Sequence, residues 1–382
     1  MKIKFMVIGT ILITAMVVML ILGLDDQKYI KYSENTYLAV LINGVESISF
    51  PAKGYYDVRI HCANANGHWN YDTWKAEITN IVGTARCTAS FTSVTPVSFT
   101  SYIKSLVVTT GEGVFLENMG GGILDYRYEG RIPNNYVFFN GELWRIIGVF
   151  SDNTHGKSGQ ELVKIIRALP VGGWSWQKNS VNDWEHATSS LKKLLNDYYY
   201  FGINETSITH CYQGGTFTQG ICDFSYNGIT SVYYRNMIEN VTWKLGGRAT
   251  TNATAATIYT VERGTTVYSG RPTSGTGYIG LMYPSDYGYS VTSSMCSRGT
   301  VIPDYNKGCA NFSWLSGVGE EWTITPISAN SYSVMSISYA GNMTLNGTGA
   351  ANGIVVRPVL YLKADVKKIA GDGSITNPYI ID

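Results

Sequence analysis

The chain has 382 residues, a formal net charge of +1, 15% charged residues and 45% hydrophobic residues. The low charge argues against a nucleic-acid partner, because phosphate recognition needs clustered Lys and Arg. The hydrophobic content argues against a disordered chain, and the length suggests two or three domains.

The N-terminus carries an apolar run from Phe5 to Leu24 that follows Lys2 and Lys4. A run of about twenty apolar residues is long enough to span a bilayer as a helix. No small-residue cleavage site follows it, and the preceding lysines favour a cytoplasmic N-terminus. We therefore predict a signal anchor over residues 1–26 that makes the membrane a partner and leaves the later domains outside the cell. A cleaved secretion signal is the alternative.

The cysteines form close pairs along the chain. The three pairs are Cys62 and Cys87, Cys211 and Cys222, and Cys296 and Cys309. An even number of cysteines in local pairs predicts three disulfides and an oxidising compartment. A zinc site is the alternative, but no pair has the CxxC spacing of zinc ligands. We predict no metal and no cofactor.

The segment after the anchor divides into three parts. Residues 27–35 are polar and predict a short stalk. Residues 36–95 contain short apolar or alternating runs separated by turn residues such as Asn43-Gly44, which predicts a small β-sandwich stapled by the first cysteine pair. Residues 96–122 are rich in Ser, Thr and Gly and predict a linker.

A hairpin is predicted at Tyr136–Phe150, YVFFNGELWRIIGVF, with its turn at Asn140-Gly141. Both turn positions need φ > 0, which Asn and Gly tolerate. The second run is apolar almost throughout, so it should be a buried central strand. The run Ile354–Leu362 has a similar apolar density. We predict that these two segments lie side by side and close one domain over residues 123–382.

Two helices are predicted between these segments. The first follows Thr188 and places apolar residues at helical spacing, which are Leu191, Leu194, Leu195 and Tyr198. The second covers about Ser231 to Lys244. Short strands and long loops follow from Ala249 onward. This order predicts an α+β fold in which two helices pack on one side of an antiparallel sheet.

Several sequence blocks resemble a family of uncharacterised surface proteins of low-GC Gram-positive bacteria that share a domain of unknown function. The blocks are YVFFNGELWRIIGVF, NDW with the SSLKKLLN helix, YTVERGTTVYSGRPTS, GYIGLMYPSDYGY, EWTITPISANSYSV and IVVRPVLYLK, which span about Tyr126 to Lys363. More loosely, the WR strand near the start and the VRP strand near the end resemble the C-type-lectin-like and formylglycine-generating-enzyme-like folds. The resemblance implies a lectin-like domain whose long loops carry a binding face.

Aromatic rings beside amide and carboxylate groups suit glycan or peptide recognition. The candidate ligand-binding residues are Trp174, Trp176, Asn182, Asp183, Trp184, Tyr283, Asp286, Tyr287 and Tyr289. Core packing is the alternative for the tryptophans. For the tyrosine-rich turn we favour a structural role in which Asp286 caps backbone amides. True C-type lectins bind calcium and sugar through E-P-N or Q-P-D and W-N-D triplets, and these are missing here.

Structural roles are predicted for four residues in or beside apolar runs, which are Trp144, Arg145, Glu262 and Arg357. A buried Arg must be paired, and Glu142 or Glu262 is the expected partner of Arg357. A catalytic electrophile is the alternative role for these arginines.

The chain carries no G-x-S-x-G, H-E-x-x-H, P-loop or G-x-G-x-x-G motif, so we name no catalytic residue. We expect a membrane-anchored extracellular binding or adhesion protein with a glycan or protein ligand. The alternatives are an extracytoplasmic enzyme acting on glycans or cell wall, and a structural surface protein without a specific ligand.

Overall fold

The computed structural model describes residues 29–350 and 354–382. The signal anchor expected over residues 1–26 lies outside these ranges. No helix within them has the length and apolar character needed to cross a membrane. The chain divides into a smaller unit, Met1–Thr95, and a larger unit, Pro96–Asp382.

The smaller unit is built from short strands. They are β1 (Ile30–Ser33), β2 (Thr36–Ile42), β3 (Val45–Ser47), β4 (Tyr56–Ala63), β5 (Asn66–Asn70), β6 (Lys75–Thr79) and β7 (Ala85–Ser93). A five-stranded sheet has the order β1-β2-β7-β4 with β3 also on β2, and β5 and β6 form a hairpin. The predicted stalk is wrong for its described part: Ile30 and Tyr32 alternate with exposed residues, and β1 pairs with β2.

Aromatic rings fill the core of the smaller unit. The Trp69 ring lies 4.8 Å from that of Phe91 and 5.0 Å from that of Phe50, measured between centroids. Cys62 and Cys87 are directly opposite on β4 and β7 and form the predicted disulfide. A core this small leaves little margin of stability, and a disulfide commonly adds about 2–4 kcal/mol.

The larger unit is also mainly β. Its strands are β8 (Val97–Ser98), β9 (Gly113–Gly120), β10 (Ile123–Glu129), β11 (Tyr136–Phe139), β12 (Glu142–Phe150), β13 (Leu162–Arg167), β14 (Gly172–Gly173), β15 (Tyr212–Gln213), β16 (Thr216–Phe217), β17 (Val241–Lys244), β18 (Ser274–Gly277), β19 (Ile279–Gly280), β20 (Glu320–Pro326), β21 (Ser333–Ile337), β22 (Met343–Gly347), β23 (Ile354–Val356), β24 (Val359–Tyr361), β25 (Lys367–Ala370) and β26 (Tyr379–Ile381).

Its helices are short. They are α1 (Phe99–Ser105), α2 (Asp152–His155), α3 (Ser190–Lys193), α4 (Val232–Arg235), α5 (Ala255–Glu262) and α6 (Pro284–Gly288), with a π-helical turn at Leu194–Tyr199 and 3₁₀ turns at Ile302–Lys307 and Cys309–Phe312. The Cys211–Cys222 and Cys296–Cys309 disulfides fix two of its loops, as the cysteine spacing predicted.

The hairpin predicted at Tyr136–Phe150 is confirmed. Strands β11 and β12 pair from Tyr136↔Arg145 to Phe139↔Glu142. The turn residues Asn140 and Gly141 have φ of 54° and 80°, as a tight I′-type turn requires. Strand β12 is buried from Trp144 to Phe150, which confirms it as a core strand.

The predicted closure of the domain is only partly right. The ten-stranded sheet has the order β19-β24-β13-β12-β11-β26-β25-β8, with β10 on β12 and β9 on β10. The run Ile354–Leu362 therefore shares a sheet with the hairpin, but β13 lies between them. Its first half, β23, joins a second sheet of order β14-β23-β20-β21-β22. The chain changes sheets at Arg357-Pro358, where Pro cannot donate to a ladder.

The α+β, C-type-lectin-like fold class is wrong, because the structure is largely β with short helices. The segment expected to be a helix from Ser231 to Lys244 is helical only at α4, and its β-branched and aromatic end forms β17, which pairs with β18. Helix α3 gives way to a π-helical turn after one turn. Helix α5 lies in the region from Ala249 onward where only short strands and loops were predicted, and the side chain of Thr254 caps it.

The predicted linker over residues 96–122 is also wrong. It contains β8, α1 and β9, and strand β9 pairs along its length with β10. Helix α1 is capped by Ser98 and buries Phe99 and Ile103 in the core of the larger unit. A few well-placed apolar residues were enough to fold a segment whose composition is that of a loop.

Strand β12 yields a stability prediction at Gly148. A Cβ built on Gly148 would meet the Tyr126 carbonyl oxygen at 2.2 Å, whereas one built on Gly347 would meet nothing within 4 Å. We expect Gly148→Ala to lower the free energy of unfolding by about 2–4 kcal/mol, because β10 must move. Gly347→Ala should change it by less than about 0.5 kcal/mol. Equal effects in urea titrations would contradict this account.

Candidate functional site

The tryptophans proposed from sequence as ligand contacts are buried. Trp174, Trp176 and Trp184 expose 1%, 0% and 2% of their surface. The Trp176 ring lies 5.1 Å from the Trp184 ring, and its indole N–H donates to the Thr323 carbonyl. These rings cannot stack on a ligand in this structure, so the ligand-binding prediction is corrected to core packing.

Asn182 and Asp183 shape the loop that follows these tryptophans. The buried Asn182 amide donates to the carbonyls of Ile327, Asn330 and Ser333 at 2.7–3.0 Å. The half-buried Asp183 carboxylate accepts from the Glu185 backbone N–H at 2.9 Å. Both side chains therefore form hydrogen bonds with the backbone of the protein. The prediction that they contact a ligand is corrected in the same way.

The tyrosine-rich turn is core as well. Tyr283, Tyr287 and Tyr289 are buried. Asp286 accepts from the Tyr283 backbone N–H at 2.9 Å, which confirms the predicted amide cap. The same carboxylate accepts from the Lys164 Nζ at 2.5 Å and from Arg127 at 3.3 Å.

This contact forms the centre of an ionic cluster that we call the Asp286 cluster, made of Asp125, Arg127, Lys164 and Asp286. Arg127 also pairs with Asp125 at 2.9 Å. The four side chains are buried and their formal charges cancel. Burial lowers the pKa of Lys164 to about 8 despite its partner, whereas the pKa of Asp286 is lowered by Lys164 and Arg127 against the effect of burial.

The predicted partners of the buried arginines need correction. Glu262 accepts from Ser285 and from its neighbour Arg263. Arg357 pairs instead with Glu321, with Nε and Nη2 donating to the two carboxylate oxygens at 2.8 and 2.7 Å. Both residues have partners within the protein, but these partners differ from those predicted.

A pocket lies beside the hairpin, and sequence reasoning did not identify it. Its volume is about 450 Å³, within the range of small-molecule sites. We call it the Arg145 pocket. Its lining residues are Tyr136, Glu142, Leu143, Arg145, Ala168, Leu169, Trp314, Ser316, Val318, Arg357 and Ile375. They come from the hairpin, from the segment after β13, from the segment before β20, from the junction between β23 and β24, and from the C-terminal loop.

Arg145 contacts two aromatic rings at this pocket. Hairpin pairing puts it opposite Tyr136. The guanidinium carbon lies 4.5 Å from the ring centroid of Tyr136 and 4.5 Å from that of Trp314. Its N–H groups donate to Asn135 Oδ1 at 2.8 Å, to the Trp314 carbonyl at 3.2 Å and to the Pro133 carbonyl at 3.5 Å. The plane of the guanidinium is therefore fixed.

Arg145 differs from the other buried cations in residues 29–350 and 354–382. Arg127, Lys164 and Arg357 each have a carboxylate partner. Arg145 is 9% exposed and has no carboxylate within ion-pair distance among the described side chains. Burial and the neighbouring Arg357 lower the pKa of Arg145 to about 10. The pocket thus holds a buried positive charge that the described protein does not neutralise.

No protein-family model matches this chain, and no curated protein or solved structure matches it either. The pocket must therefore be interpreted from its own geometry.

The Asp286 cluster predicts a large effect of one substitution. Asp286→Asn leaves Lys164 and Arg127 short of a buried counter-charge, which commonly costs about 3–5 kcal/mol. Asp304→Asn is the matched control, because Asp304 pairs with Lys307 at 2.9 Å on the surface and such pairs contribute about 0–1 kcal/mol. Calorimetric unfolding of both variants gives the comparison. A loss below about 1 kcal/mol for Asp286→Asn would rule out this role for the cluster.

A pH dependence is expected from Glu129, whose carboxylate oxygens both accept from Arg298 at 2.7 Å. Burial raises the pKa of Glu129 from 4.5 to about 9. A raised pKa means that the folded state binds the proton more tightly, so this group's contribution to stability falls as pH rises from 4.5 towards 9. Glu129→Gln removes the titrating carboxyl group and with it this pH-dependent contribution to stability.

The wild type should therefore lose more than about 1 kcal/mol relative to Glu129→Gln between pH 5 and 9. Urea unfolding at intervals across this range measures the difference. Parallel stability curves for the two proteins would show that Glu129 does not titrate as expected.

Proposed function

We propose that this chain is an exported binding protein whose larger unit holds the anionic group of a partly apolar ligand in the Arg145 pocket. The observation that carries the proposal is the unneutralised charge of Arg145. Leaving a buried charge without a partner costs several kcal/mol. A bound anion would supply that partner, so binding would relieve an unfavourable feature of the ligand-free protein.

The charges at the pocket count in favour of an anion. Arg357 is neutralised by Glu321, and Glu142 accepts from Arg167, with Nε at 2.7 Å from Oε1. Arg145 therefore leaves the lining with a net charge of about +1, by formal charges. A site with one excess positive charge in a low-dielectric wall attracts a single negative charge most strongly.

The remaining walls are apolar. Leu143, Ala168, Leu169, Val318 and Ile375 line the pocket around the guanidinium. Such a site buries an apolar group while one or a few polar groups fix its orientation. The ligand should therefore combine an anionic head with an apolar part.

The disulfides support export, because such bonds persist mainly in oxidising compartments. All three form in the structure. The resemblance to Gram-positive surface proteins supports a location at the cell surface. An enzyme acting on glycans receives less support from this pocket, since glycoside hydrolysis uses two facing carboxylates and Glu142, already bound by Arg167, is the carboxylate among the lining residues.

The test is titration of the protein with 4-methylpentanoate, a short acid with an apolar tail, followed by Trp fluorescence and calorimetry. Trp314 stacks on Arg145 and should report occupancy. We expect saturable binding with a Kd of about 1 mM, which corresponds to about −4 kcal/mol. The neutral amide of the same acid should bind at least about tenfold more weakly.

Arg145→Gln should abolish this binding, because it removes the positive charge that attracts the carboxylate. The Gln side chain keeps an amide near Asn135. Arg131→Gln is the matched control, since Arg131 is exposed and does not line the pocket. It makes the same change in net charge. If Arg145→Gln retains its fold by circular dichroism and still binds the acid like the wild type, the proposal fails. Ala168→Trp, which fills the pocket without touching Arg145's charge, should also abolish binding.

A further inference from the structure

The two guanidiniums of the pocket, on Arg145 and Arg357, have N–H donors that are not used in hydrogen bonds within the described part of the protein. An Arg side chain has about five N–H donors. Arg145 uses donors on Nε, Nη1 and Nη2 for Asn135, Trp314 and Pro133. Arg357 uses Nε once and Nη2 twice, for Glu321 and Leu315. About two N–H groups of each side chain therefore stay available, including both on Arg357 Nη1.

This donor set fits a carboxylate better than a phosphate. A carboxylate offers about four lone-pair sites and one negative charge, which equals the spare donors and the excess charge of the site. A phosphate group carries about −1.5 to −2 at neutral pH, so it would leave buried negative charge unpaired. The spare donors and the single excess charge therefore favour a monocarboxylate head group over a phosphate group.

Most of the polar side chains at the pocket are already hydrogen-bonded within the protein, which disfavours an acidic sugar. Sugar hydroxyls need several free hydrogen-bonding groups. Glu142 is occupied by Arg167, and the Ser316 hydroxyl donates to the carbonyls of Ala310 and Ser313 at 2.7 and 2.9 Å. The apolar walls instead suit a hydrocarbon side chain.

The mouth of the pocket indicates that the ligand continues outward. Leu169 and Ile375 both line the pocket, yet 69% and 58% of their surfaces are exposed. A ligand small enough to fit wholly inside would leave these side chains in water. A longer ligand would cover them as its chain leaves the pocket.

We infer that the Arg145 pocket captures the C-terminus of a polypeptide that ends in an apolar residue. The terminal carboxylate binds Arg145 and Arg357, the last side chain packs against Leu143 and Val318, and the preceding residues pass over the mouth. A chain end is the part of a polypeptide that joins a monocarboxylate, an apolar group and an outward extension. This inference rests on the proposed function, because it names the source of the anion.

The experiment compares four probes on the full-length protein by calorimetry and Trp fluorescence. They are acetyl-Gly-Gly-Leu with a free C-terminus, the same peptide amidated, 4-methylpentanoate, and glucuronate. We expect the free-acid peptide to bind about tenfold more tightly than 4-methylpentanoate, and the amidated peptide at least about tenfold more weakly than the free acid.

The outcomes separate the two proposals. If neither the peptide acid nor 4-methylpentanoate binds, the proposed anion site itself is wrong. If 4-methylpentanoate binds as tightly as the peptide acid, the anion site stands and capture of a chain end is overturned. Tighter binding of glucuronate, or equal binding of the amidated peptide, also overturns the inference.

A mouth variant provides a second test that leaves the anion site intact. Leu169→Ser with Ile375→Ser changes two exposed side chains, so the fold should be unaffected. We expect this double variant to weaken binding of the peptide acid at least about fivefold more than it weakens binding of 4-methylpentanoate, because only the peptide continues over these two side chains. A retained peptide advantage would show that the chain does not pass over the mouth.

Discussion

The cost of burying charge organises the larger unit. Within its described part, Arg127, Lys164 and Arg357 are buried and each is matched by a carboxylate. Two of these pairs join segments that are distant in sequence, since Lys164 and Asp286 are 122 residues apart and Arg357 and Glu321 are 36 residues apart. Removing one partner of such a pair destabilises the folded protein far more than the complete pair stabilises it. The pairs therefore penalise any arrangement of the chain that separates the two partners.

Arg145 is the exception to this pattern, and the groups around it hold its side chain in place. Two aromatic rings and three oxygen acceptors hold the guanidinium in place without neutralising it. A rigidly held charge at the wall of a pocket is preorganised for a ligand, which reduces the ordering cost of binding. The hairpin provides the rigidity, because Arg145 lies on β12, which is paired with both β11 and β13.

Local patterns in the sequence were sufficient for some features and misleading for others. The hairpin, the buried strand Trp144–Phe150 and the disulfides followed from turn chemistry, apolar density and cysteine spacing, and the structure has all of them. The helix expected to run to Lys244 failed because Val241 onward pairs with Ser274–Gly277, a contact that no local pattern contains. Propensity yields to tertiary context in such segments.

The candidate site was misplaced for a related reason. Aromatic and amide residues such as Trp176 and Asn182 have the same composition whether they face a ligand or fasten a loop to the core. Their role depends on long-range partners such as Thr323 and Ile327. Arg145 carried a usable signal, because an Arg within an apolar strand demands a partner. The sequence could not show that its nearest described partners would be rings and carbonyls rather than a carboxylate.

The most direct test of the account is a crystal structure of the protein soaked with 4-methylpentanoate. The account predicts a carboxylate that accepts from Arg145 and from Arg357 Nη1 at about 2.7–2.9 Å, with the branched tail against Leu143 and Val318. An acid bound elsewhere, or a pocket that stays free of the acid at saturating concentration, would contradict the central claim that Arg145 is held without a carboxylate partner in order to bind one.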